Sequence, residues 1–492
     1  MNQADVCLIL EGTYPYVTGG VSGWAHGLIE DQSQLRFHLL AIVPRDADLD
    51  LKYNLPSNVV GLTTIRLQQL PEGGKINRRT AEDLHDRLQP AIRSLTSEKR
   101  MGLDEMRQII DALKSTNVSL GSGALLDNEE AWNHLLELYE EGFDDHSFLD
   151  YFWSYRAIAG GIYSILLADL PKAGVYHAMS TGYAGLMAAR AKIETGRPVM
   201  LTEHGIYTNE RRIEVISADW LEETSSKALT IDKPKRDLRD LWIDAINNFS
   251  HACYDASDAV ITLFQGNQKF QLEDGASEDK MLIIPNGVNI SRYSALVRPR
   301  SKTPTIALIG RVVPIKDVKT FIRACSMLRQ YMPDLQAYII GPTEEDPMYY
   351  EECQNMVELL NLQDTVAFTG MARVDDYLPE IDVLVLTSLS EAQPLVILEA
   401  GAAGIPIVAT DVGACSELVY GHVNEEDEFG DGGVITPLAS PASTADAVYR
   451  LLADEERYQA YSNAIRQRVA RFYDEKMVQQ HYRQLYSKYL GR

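Results

Sequence analysis

The chain is 492 residues long and 45% hydrophobic, which is enough for two or three globular domains with their own cores. It carries 70 acidic and 46 basic side chains, so its formal net charge of −24 argues against nucleic acid or an anionic membrane surface as a partner. Any polyanionic ligand must therefore be held by local cations. The five cysteines are dispersed without a Cys-x-x-Cys pair, which suits a reducing compartment such as the cytoplasm.

The N-terminal sequence MNQADVCLIL lacks the basic start and the cleavage site of a secretion signal. The most hydrophobic later stretch, AIAGGIYSILLA at 157–168, has 12 residues, whereas a membrane span needs about 20. We therefore expect a buried helix there and a cytoplasmic chain without a membrane span.

Short apolar runs alternate with helical patterns through both halves of the chain. The runs are, in chain order, DVCLIL, RFHLLAIV, GVYHAM, PVMLTEH and DAVITL, and then TIALIG, LQAYII, TVAFTG, VLVLTS and PIVAT. Continuous β-rich runs that are each followed by an amphipathic segment are typical of parallel sheets covered on both faces by helices. The sequence therefore predicts an α/β protein with two doubly wound, Rossmann-like domains of about five strands each.

The strand rhythm stops between about residues 70 and 160, where helical patterns such as LDEMRQIIDAL take over. We interpret this stretch as a helical insertion in the first domain, which is either an added face for an acceptor or partner, or a packing elaboration. The turn signal in IIPNGVNISRY and the linker VRPRSKTP place the domain boundary near residue 290. The predicted domains are 1–290 and 291–470, followed by a long C-terminal helix at 471–492.

A glycine-rich turn, EGTYPYVTGGVSGW, follows the first predicted strand. Gly19 and Gly20 permit a ligand to approach the backbone closely, and Ser22 is a candidate cap for the helix that begins there. The turn is not G-x-G-x-x-G, so it does not satisfy the dinucleotide-binding fingerprint.

Two histidines accompany predicted strands of the first half. His204 ends the strand PVMLTE, at the edge where open parallel sheets bind ligands, and His177 lies within VYHAM. A lone histidine is more often structural than catalytic, so the pattern alone leaves both roles open.

Two cations follow the run TIALIG, in the loop RVVPIK. Arg311 and Lys316 fall beyond the carboxyl end of a predicted strand, where a ligand is expected. The planar guanidinium of arginine and the compact ammonium of lysine can together bind a diphosphate. Taken by itself, the loop could equally be an ordinary solvated one.

The stretch SEAQPLVILEAGAAGIP supplies carboxylates. Glu391 follows the strand VLVLTS, and Pro394 suits the first position of a helix. The amides of Leu395 and Val396 would then point toward an anion. Glu399, one to two turns along, could accept both hydroxyls of a ribose, and Glu391 could meet hydroxyls of a sugar. Either carboxylate singly could instead be a favourable contact with the helix dipole.

Together, GRVVPIK and EAQPLVILE resemble retaining glycosyltransferase family 4, which has the GT-B fold, and the resemblance continues through IIPNGV, AFTGMA and GACSELV. It implies two Rossmann-like domains facing across a cleft, with the final helix crossing back to the first domain. It also implies that Arg311 and Lys316 contact the diphosphate of a nucleotide sugar, while Glu391 and Glu399 contact its sugars. The EGTYPYVTGGVSGW opening and the insertion narrow the resemblance to the glycosyltransferases of Pel exopolysaccharide systems.

This chain departs from the family pattern at two places. It has Glu391-Ala-Gln-Pro394 where the family often has Glu-Gly-Phe-Gly, which changes the contacts to the donor sugar. Asp317 replaces the glycine that often follows the lysine, and we expect it to cap the helix that begins there.

The resemblance implies transfer of a hexose from a UDP-sugar, with UDP-glucose favoured, to a growing Pel-like exopolysaccharide with retention of anomeric configuration. Arg311, Lys316 and the helix amides would oppose the charge on the leaving phosphate, which itself would accept the acceptor's proton. Glu391 would act as an orienting and electrostatic residue, and not as a nucleophile.

The resemblance also implies roles outside the diphosphate clamp. Gly19 and Gly20 would contact the donor diphosphate or the acceptor from across the cleft, and His204 would bind the donor sugar's hydroxyls or the departing phosphate. His177 would shape the acceptor side, and Arg373, in TGMAR, would lie near the base of the nucleotide.

No metal or cofactor is expected. A metal-dependent transferase of the other major fold would need Asp-x-Asp after a strand, and RDADLDL at 45–51 contains two overlapping copies, which we interpret as a solvated loop. Elongation of a secreted polymer would require a membrane-embedded export partner, which could recruit the chain to the inner membrane.

Two other functional classes remain open. A nucleotide-sugar epimerase or a phosphorylase of the same fold would release a sugar nucleotide epimer or a sugar phosphate. A non-catalytic scaffold would bind UDP without turning over any UDP-sugar.

Overall fold

The computed structural model describes residues 3–74, 76–97, 100–116, 118–216, 236–296, 303–422 and 429–492. The chain forms two compact units. Unit 1 comprises Met1–Ile283 together with Arg483–Arg492, and unit 2 comprises Ile284–Tyr482. Only the last part of the C-terminal helix therefore belongs to unit 1.

Unit 1 is built on a seven-stranded parallel sheet with the spatial order β3-β2-β1-β4-β5-β6-β7. Its strands are β1 (Ala4–Glu11), β2 (Phe37–Val43), β3 (Val59–Arg66), β4 (Ala173–Ala178), β5 (Val199–Glu203), β6 (Ala259–Thr262) and β7 (Met281–Ile283). The order changes direction between β1 and β4, where Leu8 pairs with Leu39 on one side and His177 on the other. Ligands of doubly wound sheets bind at the carboxyl ends of the strands at such a reversal.

Ten helices lie wholly within unit 1 among the described residues. They are α1 (Gly20–Asp31), α2 (Arg78–Leu95), α3 (Leu103–Lys114), α4 (Ser122–Leu125), α5 (Glu129–Gly142), α6 (Phe148–Leu167), α7 (Tyr183–Thr195), α8 (Tyr207–Ile216), α9 (Leu238–Ala256) and α10 (Gln265–Glu273). Helices α2 to α6 fill the chain between β3 and β4, and their apolar faces join the core of the sheet. The hydrophobic stretch predicted as a buried helix forms the second half of α6, and most of its side chains are buried.

Unit 2 contains a six-stranded parallel sheet with the order β10-β9-β8-β11-β12-β13. Its strands are β8 (Thr305–Ile309), β9 (Gln336–Ile340), β10 (Val366–Gly370), β11 (Val383–Leu386), β12 (Ile407–Thr410) and β13 (Gly433–Thr436). The order changes direction between β8 and β11, which are hydrogen-bonded neighbours. The loops that leave these two strands therefore meet at one edge of the sheet.

The helices that cover this sheet are α11 (Ile290–Ser294), α12 (Val318–Leu328), α13 (Pro347–Leu359), α14 (Val374–Tyr377), α15 (Leu395–Ala402), α16 (Cys415–Tyr420), α17 (Pro441–Ala453) and α18 (Glu455–Phe472), with α19 (Glu475–Leu490) following. The small residues of AGAAG permit close packing, as predicted. A Cβ atom at Gly401 would lie 2.8 Å from the side chains of both Ile465 and Val469 on α18.

The predicted fold class is confirmed, because all ten predicted runs form strands of two parallel sheets flanked by helices. Three strands were not predicted. These are β3, β7 and β13, and each forms an edge of its sheet. The partial exposure of an edge strand weakens the continuous apolar pattern, although β10, the fourth edge strand, was still predicted from TVAFTG. None of the helices in the described ranges is both long and apolar enough to cross a membrane.

Replacing Gly433 by alanine should destabilise unit 2. A Cβ atom there would lie 1.9 Å from the backbone carbonyl oxygen of Ile407 on the neighbouring strand, so β12 and β13 would have to separate. We expect a loss of about 1–3 kcal/mol or more in the free energy of unfolding, measured by urea denaturation. Gly27→Ala is the control, because Gly27 lies within α1 with no atom near its added Cβ. A stability of Gly433→Ala equal to that of the unmodified chain would contradict the strand pairing.

Candidate functional site

An ion pair joins the loops that leave β8 and β11 in unit 2. Nζ of Lys316 donates to Oε1 of Glu391 at 2.5 Å, and the two side chains are only 18% and 11% exposed. The hydroxyl of Ser388 donates to the same carboxylate oxygen at 2.6 Å. The structure therefore brings together two of the predicted site residues, at the edge where the strand order changes direction.

Backbone contacts hold these two loops together. The amide of Leu389 donates to the carbonyl oxygen of Ile315 at 2.8 Å, and the Thr387 hydroxyl donates to the carbonyl oxygens of Lys316 and Asp317. Gly413 supports the second loop with a φ of +53°, and an added Cβ would lie 2.1 Å from the carbonyl oxygen of Glu391. The position of the ion pair is thus fixed by main-chain atoms.

Asp317 caps α12, as predicted. Its backbone has the left-handed conformation with a φ of 42°, and its carboxylate accepts a hydrogen bond from the amide of Thr320 at 3.3 Å. Asp317 stands where the family often has glycine, and its carboxylate is therefore used to cap α12.

Helix α15 begins at Leu395, and Pro394 is its N-cap, one residue before the position predicted for it. The amides of Leu395 and Val396 belong to the first turn, where no carbonyl of the preceding turn can accept them. The helix start is anchored by Gln393, whose Oε1 accepts from the amide of Asn286 at 2.6 Å. The IIPNGV motif, which suggested only a turn, therefore also positions α15.

Glu399 lies one turn inside α15 and is bound by the hydroxyl of Tyr293 at 2.9 Å. Burial raises the pKa of Glu399, and the hydrogen bond from Tyr293 acts in the opposite direction. Nearby, the guanidinium of Arg292 donates two hydrogen bonds to Asp375. No pattern in the sequence indicated Tyr293, because a single tyrosine in the short helix α11 has no distinguishing spacing.

Arg311 and Arg373 are both exposed. Nη1 of Arg311 contacts the two carboxylate oxygens of Glu345 at 2.5 and 2.8 Å, with both side chains about half exposed. Among the described residues, the charged partner of Arg373 is Asp375, at 3.9 Å. The structure therefore places Arg311 on the same loop as Lys316 without joining it to the Lys316–Glu391 pair.

In unit 1, Glu11 stands at the carboxyl end of β1. It accepts from the Tyr207 hydroxyl at 2.8 Å and from the amide of Ala184, at the start of α7, at 3.0 Å. Glu11 was not predicted as a site residue, although its place as the last residue of the first strand could have indicated it.

His204 directly follows β5 and packs edge-on against Trp24 of α1, with ring centroids 4.7 Å apart. Burial lowers the pKa of His204 to about 4, so its imidazole is neutral near pH 7. Its Nε2 is buried and has no hydrogen-bond partner among the described residues. A buried ring nitrogen without a partner is unusual in a folded protein and is suited to a ligand's polar atom.

Glu203, the last residue of β5, is almost completely buried. Its Oε2 accepts from the Tyr254 hydroxyl at 2.7 Å and from the Gln271 amide at 3.0 Å, and its Oε1 accepts from the backbone amide of Tyr207 at 3.2 Å. Burial raises the pKa of Glu203 to about 7 in spite of these bonds. The carboxyl group next to His204 is therefore close to its protonation midpoint at neutral pH.

Two predictions for unit 1 were wrong. Ser22 does not cap a helix, because α1 begins at Gly20 with Gly19 as its N-cap and Ser22 is buried inside the helix. His177 cannot contact an acceptor, because it is completely buried in β4 and both ring nitrogens are bonded, Nδ1 to the Tyr486 hydroxyl and Nε2 to the Thr202 hydroxyl. The space beside Gly19 and Gly20 is open, as a glycine turn for ligand approach requires.

A cavity of about 570 Å³ opens beside the end of β1. Its walls are mainly apolar, and Glu11, Tyr207 and Arg211 supply polar groups. The size and the few polar groups are those of a small-molecule site. Within the described ranges, no cluster of three histidine, cysteine, aspartate or glutamate side chains could hold a metal ion.

Two family models match the chain. One, described as "Domain of unknown function (DUF3492)", matches residues 4–279, and the other, described as "Glycosyl transferases group 1", matches residues 303–454. The first match covers most of unit 1, and the second covers the sheet of unit 2 with the loops that carry Lys316 and Glu391.

Two curated proteins share part of the chain. The D-inositol 3-phosphate glycosyltransferase of Streptomyces scabiei is 33% identical over 155 residues, which are 28% of this chain and 35% of that protein. The exopolysaccharide phosphotransferase SCO2592 of Streptomyces coelicolor is 28% identical over 242 residues, which are 48% of this chain and 24% of that protein. The chain thus matches well under two thirds of the length of these relatives.

The fold is also that of a solved protein, Anabaena HepE. Its complex with UDP superposes with a TM-score of 0.60 at 15% identity, covering 98% of this chain and 100% of that one. Its complex with UDP-glucose gives a TM-score of 0.58 at 14% identity, covering 98% and 99%. This likeness confirms the predicted GT-B fold class.

Glu203 should make the stability of the chain depend on pH. Its folded pKa of about 7 lies above the ordinary value of 4.5, so the folded state holds a proton that the unfolded state has released. The contribution of Glu203 to stability is present below pH 4.5 and is lost as the pH rises to about 7. We expect Glu203→Gln to lose less stability than the unmodified chain between pH 5 and pH 8, measured by thermal denaturation.

Glu140→Gln, at an exposed position of α5, is the control and should follow the unmodified chain. If Glu203→Gln loses as much stability over this range as the unmodified chain, Glu203 is ionised throughout and the assigned direction is wrong.

Proposed function

Because the chain belongs to the family described as Domain of unknown function (DUF3492), and its second unit matches Glycosyl transferases group 1, we propose that it is a glycosyltransferase. Its donor is a nucleotide sugar, specifically UDP-glucose, and its acceptor is a growing exopolysaccharide. The hexose is transferred with retention of anomeric configuration and without a metal ion.

The observation that carries this proposal is the Lys316–Glu391 pair beside the start of α15. Lys316 is largely removed from water, and a cation in that setting attracts an anionic ligand more strongly than an exposed one. The amides of Leu395 and Val396 and the positive end of the helix dipole add to this attraction. In a chain of net charge −24, this is a place where a diphosphate could be held by local groups.

Arg311 completes the clamp when the donor binds. Its partner in the free chain is Glu345, and both side chains are about half exposed. Exposed ion pairs contribute only about 0–1 kcal/mol, so a diphosphate can displace Glu345 at little cost. Arginine then offers a planar fork to the phosphate oxygens, whereas Lys316 offers a compact charge.

The chemical barrier is departure of UDP as negative charge accumulates on its β-phosphate. Lys316 and the α15 amides oppose that charge from positions that they already hold in the free chain, and Arg311 joins them when the donor binds. The leaving phosphate oxygen accepts the proton of the acceptor hydroxyl, so no protein base is required. Glu391 holds Lys316 in position and accepts hydrogen bonds from the donor's sugar hydroxyls.

The groups that unit 1 supplies are uncharged. The Nε2 atom of His204 has no partner among the residues that the structure describes, so it is available to a donor hydroxyl or a phosphate oxygen, and the low pKa of His204 keeps the imidazole uncharged at neutral pH. Gly19 and Gly20 leave open space for close approach of the ligand. Arg373, exposed after β10, is assigned to the nucleotide base.

The proposed donor and acceptor are supported by the similarity of this chain to other proteins. HepE has been solved with UDP and with UDP-glucose, and SCO2592 is described as an exopolysaccharide phosphotransferase. The opening EGTYPYVTGGVSGW and the helical insertion resemble PelF, the glycosyltransferase of the Pel exopolysaccharide system. We therefore place the reaction in the cytoplasm, with a membrane-embedded export partner that recruits the enzyme to the inner membrane.

Removal of either member of the ion pair should abolish most turnover. Lys316→Ala loses the buried cation that stabilises the leaving phosphate, and Glu391→Ala loses the group that positions it. Loss of one such stabilising group typically lowers the rate on the order of 10²–10³-fold. The measurement is release of UDP from UDP-glucose, with circular dichroism to show that each variant is folded.

Lys319→Ala is the matched control, because Lys319 lies one turn away on α12 and pairs with Glu352. It should keep nearly full turnover. Wild-type rates for Lys316→Ala or Glu391→Ala would overturn the assignment, and UDP binding without turnover of any UDP-sugar by the unmodified chain would favour a scaffold.

Activity should persist in excess EDTA. The charge on the leaving phosphate is opposed by Lys316, Arg311 and helix amides, so the proposed mechanism does not use a divalent cation. Release of UDP is measured with EDTA alone and after addition of Mg²⁺ or Mn²⁺ in excess over the chelator. Loss of turnover in EDTA that either metal restores would contradict a metal-independent reaction.

A further inference from the structure

A groove in unit 1 runs along the helical insertion, away from the cavity beside Glu11. It consists of two adjoining cavities of about 560 and 440 Å³, which share Arg66, Gln69 and Leu70 as walls. The larger one meets the cavity beside β1 at Ala157 of α6. We call the two adjoining cavities the insertion groove. Each is as large as a typical small-molecule site of about 300–1,000 Å³, so the groove is too long for a single sugar.

We infer that the insertion groove binds a chain of several neutral sugar units, as a second glycan site beyond the acceptor's reactive end. This inference rests on the proposed function, since it takes the acceptor to be a growing polysaccharide.

The walls of the groove have the chemistry that a sugar chain requires. Trp153 projects from α6 with 59% of its surface exposed, and its ring is braced by Phe152 at a centroid distance of 5.0 Å. A fixed aromatic ring offers a flat apolar face to the C–H face of a pyranose. Gln68 and Gln69 line the same cavity, and their amides can both donate to and accept from hydroxyl groups.

The formal charges of the groove cancel. The arginines Arg45, Arg66 and Arg156 are matched by the aspartates Asp46, Asp127 and Asp169, and Arg156 is already hydrogen-bonded to Asp127. A polyanion would find no surplus of cations comparable to a phosphate site, whereas neutral hydroxyl groups can use both kinds of side chain. The occupant is therefore a neutral glycan.

Local bonding holds these groups in place. Nη1 of Arg66 donates to the carbonyl oxygens of Arg45 at 2.6 Å and Ala47 at 3.0 Å, which fixes the loop RDADLDL against β3. Gln68 has the left-handed φ of 63°, which few residues other than glycine adopt. The acidic loop and the helical insertion, for which the sequence suggested no definite role, thus form one binding surface.

The test titrates neutral oligosaccharides of increasing length, from disaccharides upward and made of glucose or N-acetylhexosamine, into the full chain and follows binding by saturation-transfer NMR. Affinity should rise with the number of sugar units. Trp153→Ala and Gln69→Ala should weaken binding of the longer members, Trp153→Ala by about tenfold, as for a central aromatic contact. Leu149→Ala is the matched control, because Leu149 is 61% exposed on α6 one turn away and does not line the groove.

Absence of binding by every member, affinity that does not change with length, or wild-type affinity in Trp153→Ala would each overturn the inference. UDP binding and UDP release are measured on the same samples. Turnover of UDP-glucose without length-dependent glycan binding refutes only the inference that the insertion groove binds glycans. Length-dependent glycan binding without any UDP binding refutes the proposed function but supports glycan binding in the groove.

Discussion

The contact between Lys316 and Glu391 is the interaction on which the candidate donor site depends. Two opposite charges on separate loops become neighbours because β8 and β11 are adjacent where the strand order of unit 2 changes direction. Charges withdrawn from water must be paired, and in the free chain these two neutralise each other. A diphosphate can therefore enter as a third partner of Lys316, in an arrangement that the backbone has already fixed. Little of the binding energy is then needed to order the site.

At the carboxyl end of β5 in unit 1, burial instead favours the uncharged forms of two neighbouring side chains. It lowers the pKa of His204 and raises that of Glu203. An uncharged imidazole, whose Nε2 has no hydrogen-bond partner in the described part of the chain, suits contacts to hydroxyl groups. In the proposed function, the charged loops of unit 2 hold the phosphates, whereas His204 and the insertion groove of unit 1 offer uncharged partners to hydroxyl groups.

The sequence predicted features that are encoded locally, such as strands and motif residues. It missed contacts that depend on a second residue elsewhere in the chain. The nine central strands and the edge strand β10 appear as continuous apolar runs, whereas the partly exposed edge strands β3, β7 and β13 were missed. Although neither stretch was decisive alone, Lys316 and Glu391 were identifiable because GRVVPIK and EAQPLVILE occur together in one chain, each after a predicted strand. Their neighbours were not, since Glu345 reaches Arg311, and Tyr293 reaches Glu399, only through the tertiary fold. His177 shows the same limit, because its two hydrogen-bond partners lie far away in the chain.

The most direct test of the central claim is a double-mutant cycle on UDP affinity, measured by calorimetry for the unmodified chain, Lys316→Ala, Glu391→Ala and the double variant. Lys316→Ala should weaken binding. Glu391→Ala should weaken it little or strengthen it, because removal of the carboxylate frees the ammonium for the diphosphate. Since both act on one ligand through one contact, the effect of Glu391→Ala should change when Lys316 is absent, with a coupling energy of about 0.5–3 kcal/mol. Strictly additive effects of the two substitutions, or a UDP affinity that Lys316→Ala leaves unchanged, would contradict the account.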